Sequence, residues 1–522
     1  MGMGLVCLML FAWAALCAQQ RSEPTPPEKL QPRDKARQLL DSAAKMVTSA
    51  QPQVQVAALI HLGENYHLLD RKKALEYLEQ AFAAAADLPS GGGEDQRGDM
   101  QAKVISSMAA VSLDKAMDLL PQLTAAGAPS GPGQSDPRLG PTEKIVRLLL
   151  DKKDFARAIE VVETIGSTGE YPFRAAQLIF DKLPAEDPRR VQVFGDATTA
   201  FVGRTYGPFA DFLSRHWQEA PRPVAEAALK AVLNSILDKK DDSFMQTNIS
   251  SAKGTVTLNS RQDIELFNVM HVLRALDPKR ADELIETRAD LRSAVERFPQ
   301  GIASMSGGEN ESLSIATVHG STRPSQRESA EERLRAIAES RAAEAQAELK
   351  QDPQRALSLV RGIPVLSMQA QVLGSIASSV SEKDPSTAKS VLDQTMQLLE
   401  EIKDPRERIP VWEIVAEAAH RAKEEQRAWE AIDRGLSDAA ALYKRDADVE
   451  ASNEALREYW PSTQAYRRIV WMAAKLFGAD AEPLLAKITD PDLALLARIE
   501  MARSLLGQPT SSNEVRFSKT SG

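Results

Sequence analysis

Apolar residues recur with helical spacing along almost the whole chain, beginning at DKARQLLDSAAKMV (34–47). Apolar positions three and four residues apart form one face of an amphipathic helix. No long run of alternating β-branched residues competes with this pattern. The pattern therefore predicts an all-α fold.

Glycine, serine and proline interrupt the helical pattern at residues 88–99, 125–141 and 301–326. Such stretches bury little apolar surface and favour loops. The third is the longest, so we predict a boundary there between two helical halves. The predicted organisation is a signal peptide at 1–18, a Pro-rich linker at 19–33, an N-terminal helical repeat segment at 34–300, a Gly/Ser-rich linker at 301–328, a C-terminal helical repeat segment at 329–507 and a disordered tail at 508–522.

Seven Asp-Pro dipeptides punctuate the chain. An aspartate accepts hydrogen bonds from the free amides at a helix N-terminus, and proline is tolerated at the first helical position. We therefore predict helix starts at these dipeptides, whose aspartates are Asp136, Asp187, Asp277, Asp352, Asp384, Asp404 and Asp490.

A small alanine stands four residues before a larger apolar residue in many of the predicted helices. Successive alanines Ala74, Ala116 and Ala158 are 42 residues apart, and Ala388 and Ala428 are 40 apart. Other spacings are irregular, so the period is loose. A step of about 40 residues with one close-packing alanine per unit is typical of stacked helical hairpins.

The stretch ALIHLGENYHLLDRKKALEYLEQAF (58–82) resembles a tetratricopeptide repeat. Leu62-Gly63 and Tyr66 match the first helix of the repeat, and Ala74, Leu78 and Ala81 match the second. The unit departs from the family pattern by a shorter connection and by Leu78 where an aromatic residue is usual. The resemblance implies an α-solenoid of tetratricopeptide-like hairpins in one or two superhelical segments. It also implies a binding scaffold without catalytic residues.

The first residues have the features of a bacterial export signal. Leu5–Ala18 is an apolar run too short to span a bilayer, and a Pro-rich stretch follows it. No lysine or arginine precedes the run, which departs from the usual pattern. Both cysteines, Cys7 and Cys17, lie in this segment, and Leu16 argues against a lipoprotein anchored through Cys17. We expect an exported, periplasmic or extracellular protein with no integral membrane segment in its mature chain.

Composition narrows the choice of partners. At 522 residues the chain is too long for one compact core, so several domains or a repeat array are expected. A net charge of −9 gives no general reason to bind nucleic acid. We therefore predict a protein or peptide partner and no nucleic acid.

Two Glu-x-x-His motifs, Glu64/His67 and Glu417/His420, match the pattern of carboxylate-bridged di-iron bundles. Both motifs fall at equivalent positions of the repeat, at what we expect to be surface positions of the first helix. That equivalence explains the recurrence without a metal. No other catalytic or phosphate-binding motif has its companion residues. The sequence therefore predicts no catalytic residues, no metal and no cofactor.

Aromatic and basic residues concentrate near the C-terminus, where they form either helix-interface packing or a groove for an extended partner. The candidate groove residues are Trp412, Trp429, Arg457, Tyr459, Trp460, Tyr466, Arg467, Arg468 and Trp471. The leading hypothesis is an exported, non-catalytic scaffold that binds a protein or peptide on its concave face. One alternative is a helical toroid that binds or cleaves a glycan or peptide in a deep pocket with convergent carboxylates. Another is a structural envelope protein that has no concave surface with clustered aromatic or charged residues.

Overall fold

The computed structural model describes residues 31–89, 96–123, 136–201, 206–238, 245–251, 253–305, 314–319, 330–349, 351–450 and 460–511. The described part of the chain is predominantly helical, which confirms the all-α prediction. The helices of the N-terminal segment are α1 Pro32–Met46, α2 Pro52–Tyr66, α3 Arg71–Ala86, α4 Gln96–Val111, α5 Leu113–Leu119, α6 Leu139–Asp151, α7 Phe155–Thr168, α8 Phe173–Lys182, α9 Arg189–Ala200, α10 Tyr206–His216, α11 Arg222–Leu237, α12 Arg261–Leu276, α13 Pro278–Glu286, α14 Ala289–Arg297 and α15 Ile302–Met305. The C-terminal segment contributes α16 Ala330–Leu349, α17 Pro353–Val360, α18 Leu366–Val380, α19 Pro385–Glu401, α20 Pro405–Arg421, α21 Glu425–Glu450, α22 Pro461–Phe477 and α23 Pro491–Leu505, with a 3₁₀ segment at Gly478–Lys487.

Most of the Asp-Pro dipeptides begin helices as the sequence predicts. In five of the seven dipeptides the aspartate is the residue that caps the helix, and proline takes the first helical position. Their side chains accept hydrogen bonds from backbone amides two or three residues later, and these caps are Asp277, Asp352, Asp384, Asp404 and Asp490. Asp136 and Asp187 lie three and two residues before their helices and accept from Arg138 N and Arg189 N.

The helices form two layers of hairpins. The first layer contains α16, α18, α20, α22, α23, α2, α4, α6, α8, α10 and α12, in the order in which neighbours touch. Each first-layer helix packs on the next, and second-layer helices such as α3, α19 and α21 pack on their own hairpin partner. Most of the buried apolar residues from Ala36 to Ala502 belong to one continuous hydrophobic core.

The spatial order of the hairpins differs from their order in the chain, because the last helix pairs with the first. Helix α1 packs on α23, and Gln51 N, at the start of α2, donates to Asp492 Oδ1 over 3.4 Å, so the connection between α1 and α2 lies beside the start of α23. Lys35 Nζ lies 2.5 Å from Glu482 Oε2 of the 3₁₀ segment. We name the α23–α1 pair the composite hairpin, because its two helices come from opposite ends of the chain.

Helix α23 is enclosed by this arrangement. It contacts α22, α1 and α2, and eleven of its 15 residues are buried. Its neighbours on the first layer are therefore α22 from the C-terminal segment and α2 from the N-terminal segment. The composite hairpin makes one array out of the two predicted segments.

The other ends of the two segments are tied by a short connection. Residues 320–329 join the strand at 314–319 to α16. Backbone spans at most about 3.6 Å per residue, so these ten residues hold the two ends within roughly 40 Å of each other. The array is thus packed at the composite hairpin and tethered at its opposite ends.

A small antiparallel sheet, which the sequence analysis did not predict, lies against α12 and α14. Its strands are β1 Met245–Ser251, β2 Gly254–Leu258 and β3 Ser314–His319, in the order β2-β1-β3. On the hairpin, Thr247, Ile249, Val256 and Leu258 are buried. The alternation in GTVTL was the available signal for a strand, and it is too short to stand out beside the helical pattern.

Ordered structure extends into the predicted linker and the predicted tail. The signal peptide (1–18) lies outside the described residues, as does the Pro-rich linker apart from its last three residues. The predicted linker at 301–328 contains α15 and β3. Packed structure continues into the predicted tail as far as Ser511, which is 3% exposed. None of the described helices is long and apolar enough to cross a bilayer.

Close packing between α2 and α3 rests on Gly63. A Cβ atom at this position would lie 2.6 Å from Leu78 Cγ. We expect Gly63→Ala to lower the free energy of unfolding by about 1–3 kcal/mol, because overpacking outweighs alanine's helix propensity.

The matched control is Gly195→Ala in α9, where an added Cβ meets nothing within 4 Å. Here only the higher helix propensity of alanine acts, and we expect the free energy of unfolding to rise by about 0.5–1 kcal/mol. Urea unfolding followed by circular dichroism measures both. Changes of the same sign in the two variants would contradict the close approach of α2 and α3.

Candidate functional site

Two ion pairs, one buried and one partly buried, join the composite hairpin to its neighbours. Arg467 Nε of α22 lies 3.3 Å from Glu500 Oε2 of α23, and their side chains are 3% and 1% exposed. Arg503 Nη1 of α23 lies 3.1 Å from Glu64 Oε2 of α2. Burial of charge is favourable only when the partner is close and hydrogen-bonded. These pairs therefore bind α22, α23 and α2 into one unit.

His61 of α2 connects the two pairs. Its Nε2 lies 3.0 Å from Arg467 Nη2, and its Nδ1 lies 3.1 Å from Glu64 Oε2. Because arginine only donates, Nε2 is the acceptor and Nδ1 carries the hydrogen that His61 donates to Glu64. Ser107 Oγ of α4 donates to Glu64 Oε1 over 2.7 Å. We call Glu64, His61, Arg467, Glu500 and Arg503 the buried ionic network.

Residues after α23 complete this network. Ser511 N donates to Glu500 Oε1 over 2.9 Å, and the Ser511 hydroxyl also contacts Glu500 and Arg467. Arg503 Nε donates to Pro509 O over 2.6 Å. The first residues of the predicted tail are thus held by the network.

The two glutamates are kept ionised by their surroundings. Burial by itself raises the pKa of Glu64, but the hydrogen bond from His61 and the charge of Arg503 bring it well below its usual range. Burial likewise raises the pKa of Glu500, and the charge of Arg467 together with hydrogen bonds from Ser511 lowers it overall. A charged carboxylate is therefore compatible with the full burial of Glu500 and the partial burial of Glu64.

The two Glu-x-x-His motifs do not form a joint site. The carboxylate of Glu64 contacts Arg503 of α23 and Ser107 of α4, so the predicted surface position is wrong for this residue. His67 is exposed. Glu417 Oε1 is 2.9 Å from Arg421 Nη2 and 3.3 Å from Lys475 Nζ. In the described residues, no group of three or more His, Cys, Asp or Glu is arranged to hold a metal ion.

Four candidate groove residues lie inside helix interfaces. Trp412, Trp460, Tyr466 and Arg467 are at most 7% exposed. Trp412 Nε1 donates to Asp438 Oδ2 over 2.9 Å. Burial, with the charge of Asp490, raises the pKa of Tyr466 to about 12. These four side chains offer no surface to a partner in this conformation.

Three more candidate residues are half-buried. Trp429 stacks on Phe477 with ring centroids 4.0 Å apart and an interplanar angle of 15°. Arg468 Nε lies 3.0 Å from Glu413 Oε1. Trp471 Nε1 donates to the carbonyl oxygen at position 508 over 2.9 Å. The two remaining candidates, Arg457 and Tyr459, lie outside the described residues.

The accessible part of Trp429 belongs to a shallow depression of about 470 Å³ on the second-layer helix α21. Its polar groups are held by exposed ion pairs: Asp433 Oδ1 lies 2.6 Å from Lys487 Nζ, and Arg434 Nη1 lies 2.5 Å from Glu400 Oε1. We call this depression the α21 surface, and its lining residues are Gln426, Trp429, Glu430, Asp433, Arg434 and Ser437.

Comparisons with known proteins assign the chain to no class. The chain matches no model of a protein family, and a search of curated proteins finds no match.

Proposed function

We propose that this protein is an exported, non-catalytic scaffold of tetratricopeptide-like hairpins that binds a partner protein or peptide. Stacked helical hairpins present extended surfaces, and proteins built in this way bind other chains along them.

The observation that carries the proposal is the α21 surface. Trp429 is backed by Phe477, which holds the indole in place, and charges of both signs flank it. Preordered aromatic side chains surrounded by polar groups are typical of the energetic centres of protein interfaces. Since α21 belongs to the second layer, the proposed contact lies there. The hypothesis from the sequence places the partner on the concave face and does not specify a helix.

The α21 surface favours a contact surface over a catalytic cleft. It is shallow, and Asp433 is paired with Lys487. The toroid-enzyme alternative requires a deep pocket with convergent carboxylates in this part of the chain. A purely structural envelope protein requires no partner, and the cross-linking experiment below distinguishes it from a scaffold.

The test is cross-linking of the tagged protein in its native envelope, followed by mass spectrometry. We expect one recurrent partner with the unaltered protein and about tenfold less of it with the double variant Glu430→Arg/Asp433→Arg. Both residues are exposed, so this variant is expected to remain folded.

The matched control is Glu76→Arg/Glu79→Arg on α3. These glutamates occupy the equivalent positions when Ala74 is aligned with Ala428. Equal recovery from both variants would remove the α21 surface from the proposal. Recovery of the protein alone, under conditions that capture known complexes, would contradict a stable partner and favour the structural role.

A further inference from the structure

The composite hairpin contains a cavity of about 400 Å³ that none of the preceding features uses. It lies where α1, the 3₁₀ segment Gly478–Lys487 and α23 meet. Leu39 and Leu485 supply apolar walls, while Gln38, Ser42 and Arg498 supply polar groups. Residues from both ends of the chain are therefore needed to form it.

Arg498 has no acidic partner in the described structure. Its Nη1 donates to Ala494 O of its own helix over 2.9 Å, and its side chain is half-buried. The other two arginines of this region, Arg467 and Arg503, are each paired with a glutamate. A guanidinium has five N–H donors in a fork that matches a carboxylate. Arg498 thus presents unused donors at the wall of a cavity.

The acidic residue in the cavity wall does not cancel this charge. Glu482 Oε2 lies 2.5 Å from Lys35 Nζ, so its negative charge already has a cationic partner. The Ser42 hydroxyl and the Gln38 amide add hydrogen-bond donors to the lining. The cavity therefore combines a free cation, neutral donors and apolar walls.

We propose that this cavity binds a carboxylate group, with Arg498 as its charged partner and Leu39 and Leu485 against the attached apolar group. A peptide C-terminus and a small organic acid share this chemistry. The inference goes beyond partner binding at the α21 surface, and its test needs no knowledge of that partner.

Isothermal titration calorimetry of the full-length protein tests the proposal. The probes are succinate, the N-acetylated tripeptide Gly-Ala-Leu with a free carboxylate, and the same tripeptide as its C-terminal amide. Charge-assisted hydrogen bonds contribute enough that Arg498→Gln is expected to weaken binding by about tenfold to a hundredfold. Arg37→Gln removes an exposed charge from α1 outside the cavity wall and is expected to change nothing.

Each outcome of the titration supports or overturns carboxylate binding in the cavity. Binding of the free peptide acid, but not of its amide, identifies a peptide C-terminus; binding of succinate alone identifies a small organic acid. Equal binding of acid and amide, unchanged affinity in Arg498→Gln, or no heat from any probe at about 10 mM would overturn the proposal. Unchanged thermal unfolding of Arg498→Gln excludes loss of fold as the cause, and Arg498→Lys should retain part of the affinity.

Discussion

Replacing Arg467 by methionine should lower the free energy of unfolding by about 3–5 kcal/mol, the cost of leaving a buried charge without its partner. The carboxylate of Glu500 is 1% exposed and would keep only the donors of Ser511. His61 would lose the donor to its Nε2 at the same time. The effect is expected to be large because three helices from two parts of the chain meet at this point.

Two further variants separate lost charge pairing from lost packing. Arg467→Met/Glu500→Leu removes both charges and should recover most of the stability, because apolar replacement of a whole buried pair is often neutral. Arg434→Met breaks the exposed pair with Glu400 and should change stability by less than about 1 kcal/mol. Urea unfolding followed by circular dichroism measures all three. A cost for Arg467→Met no larger than that of Arg434→Met would contradict the buried position of the network.

The second large expected effect is that the protein stays together after its chain is cleaved between the two segments. If a protease site is placed within residues 320–329 and the folded protein is cleaved there, we expect the two pieces to remain one complex. Leu39, Leu40 and Ala43 of α1 are buried, α1 packs on α23, and the ionic network adds specific contacts. We expect an equilibrium dissociation constant on the order of 1 µM or tighter.

Size-exclusion chromatography after cleavage gives the result directly. The same cleavage in a Leu40→Asp variant should release separate pieces, because it places an unpaired carboxylate at a fully buried position. Separation of the unaltered pieces at micromolar concentration would show that the linker, and not the composite hairpin, holds the segments together.

Local chemistry made part of this fold predictable. Asp-Pro marks helix starts because a capping carboxylate and a proline at the first position both act within three residues. Gly63 and Leu78 lie in neighbouring helices of one hairpin, α2 and α3, and approach each other closely. Such signals do not depend on distant parts of the chain.

The pairing of α1 with α23 could not be predicted in this way. The pattern of α1 gives it an apolar face, but periodicity does not say which helix covers that face, and the two helices are separated by more than 400 residues. The error at Glu64 has the same origin. Its repeat position predicts solvent, whereas Arg503 arrives from the far end of the chain.

The candidate groove illustrates a second limit of sequence reasoning. Aromatic residues fill helix interfaces and also form binding surfaces, and the sequence pattern is the same for both. Trp412 and Trp460 lie in interfaces, while Trp429 is partly accessible because it sits on the second layer. Only the position of each helix in the array separates these cases.

The most direct test of the composite hairpin is zero-length cross-linking with a carbodiimide, which joins an amine to a carboxylate already in contact. Lys35 Nζ and Glu482 Oε2 are 2.5 Å apart, so we expect a peptide joining these two residues from the protein monomer. The pairs Lys487–Asp433 and Lys115–Glu79, at 2.6 and 3.1 Å, serve as internal controls within the segments. Recovery of both control cross-links without the Lys35–Glu482 cross-link would contradict the packing of the first helix on the last.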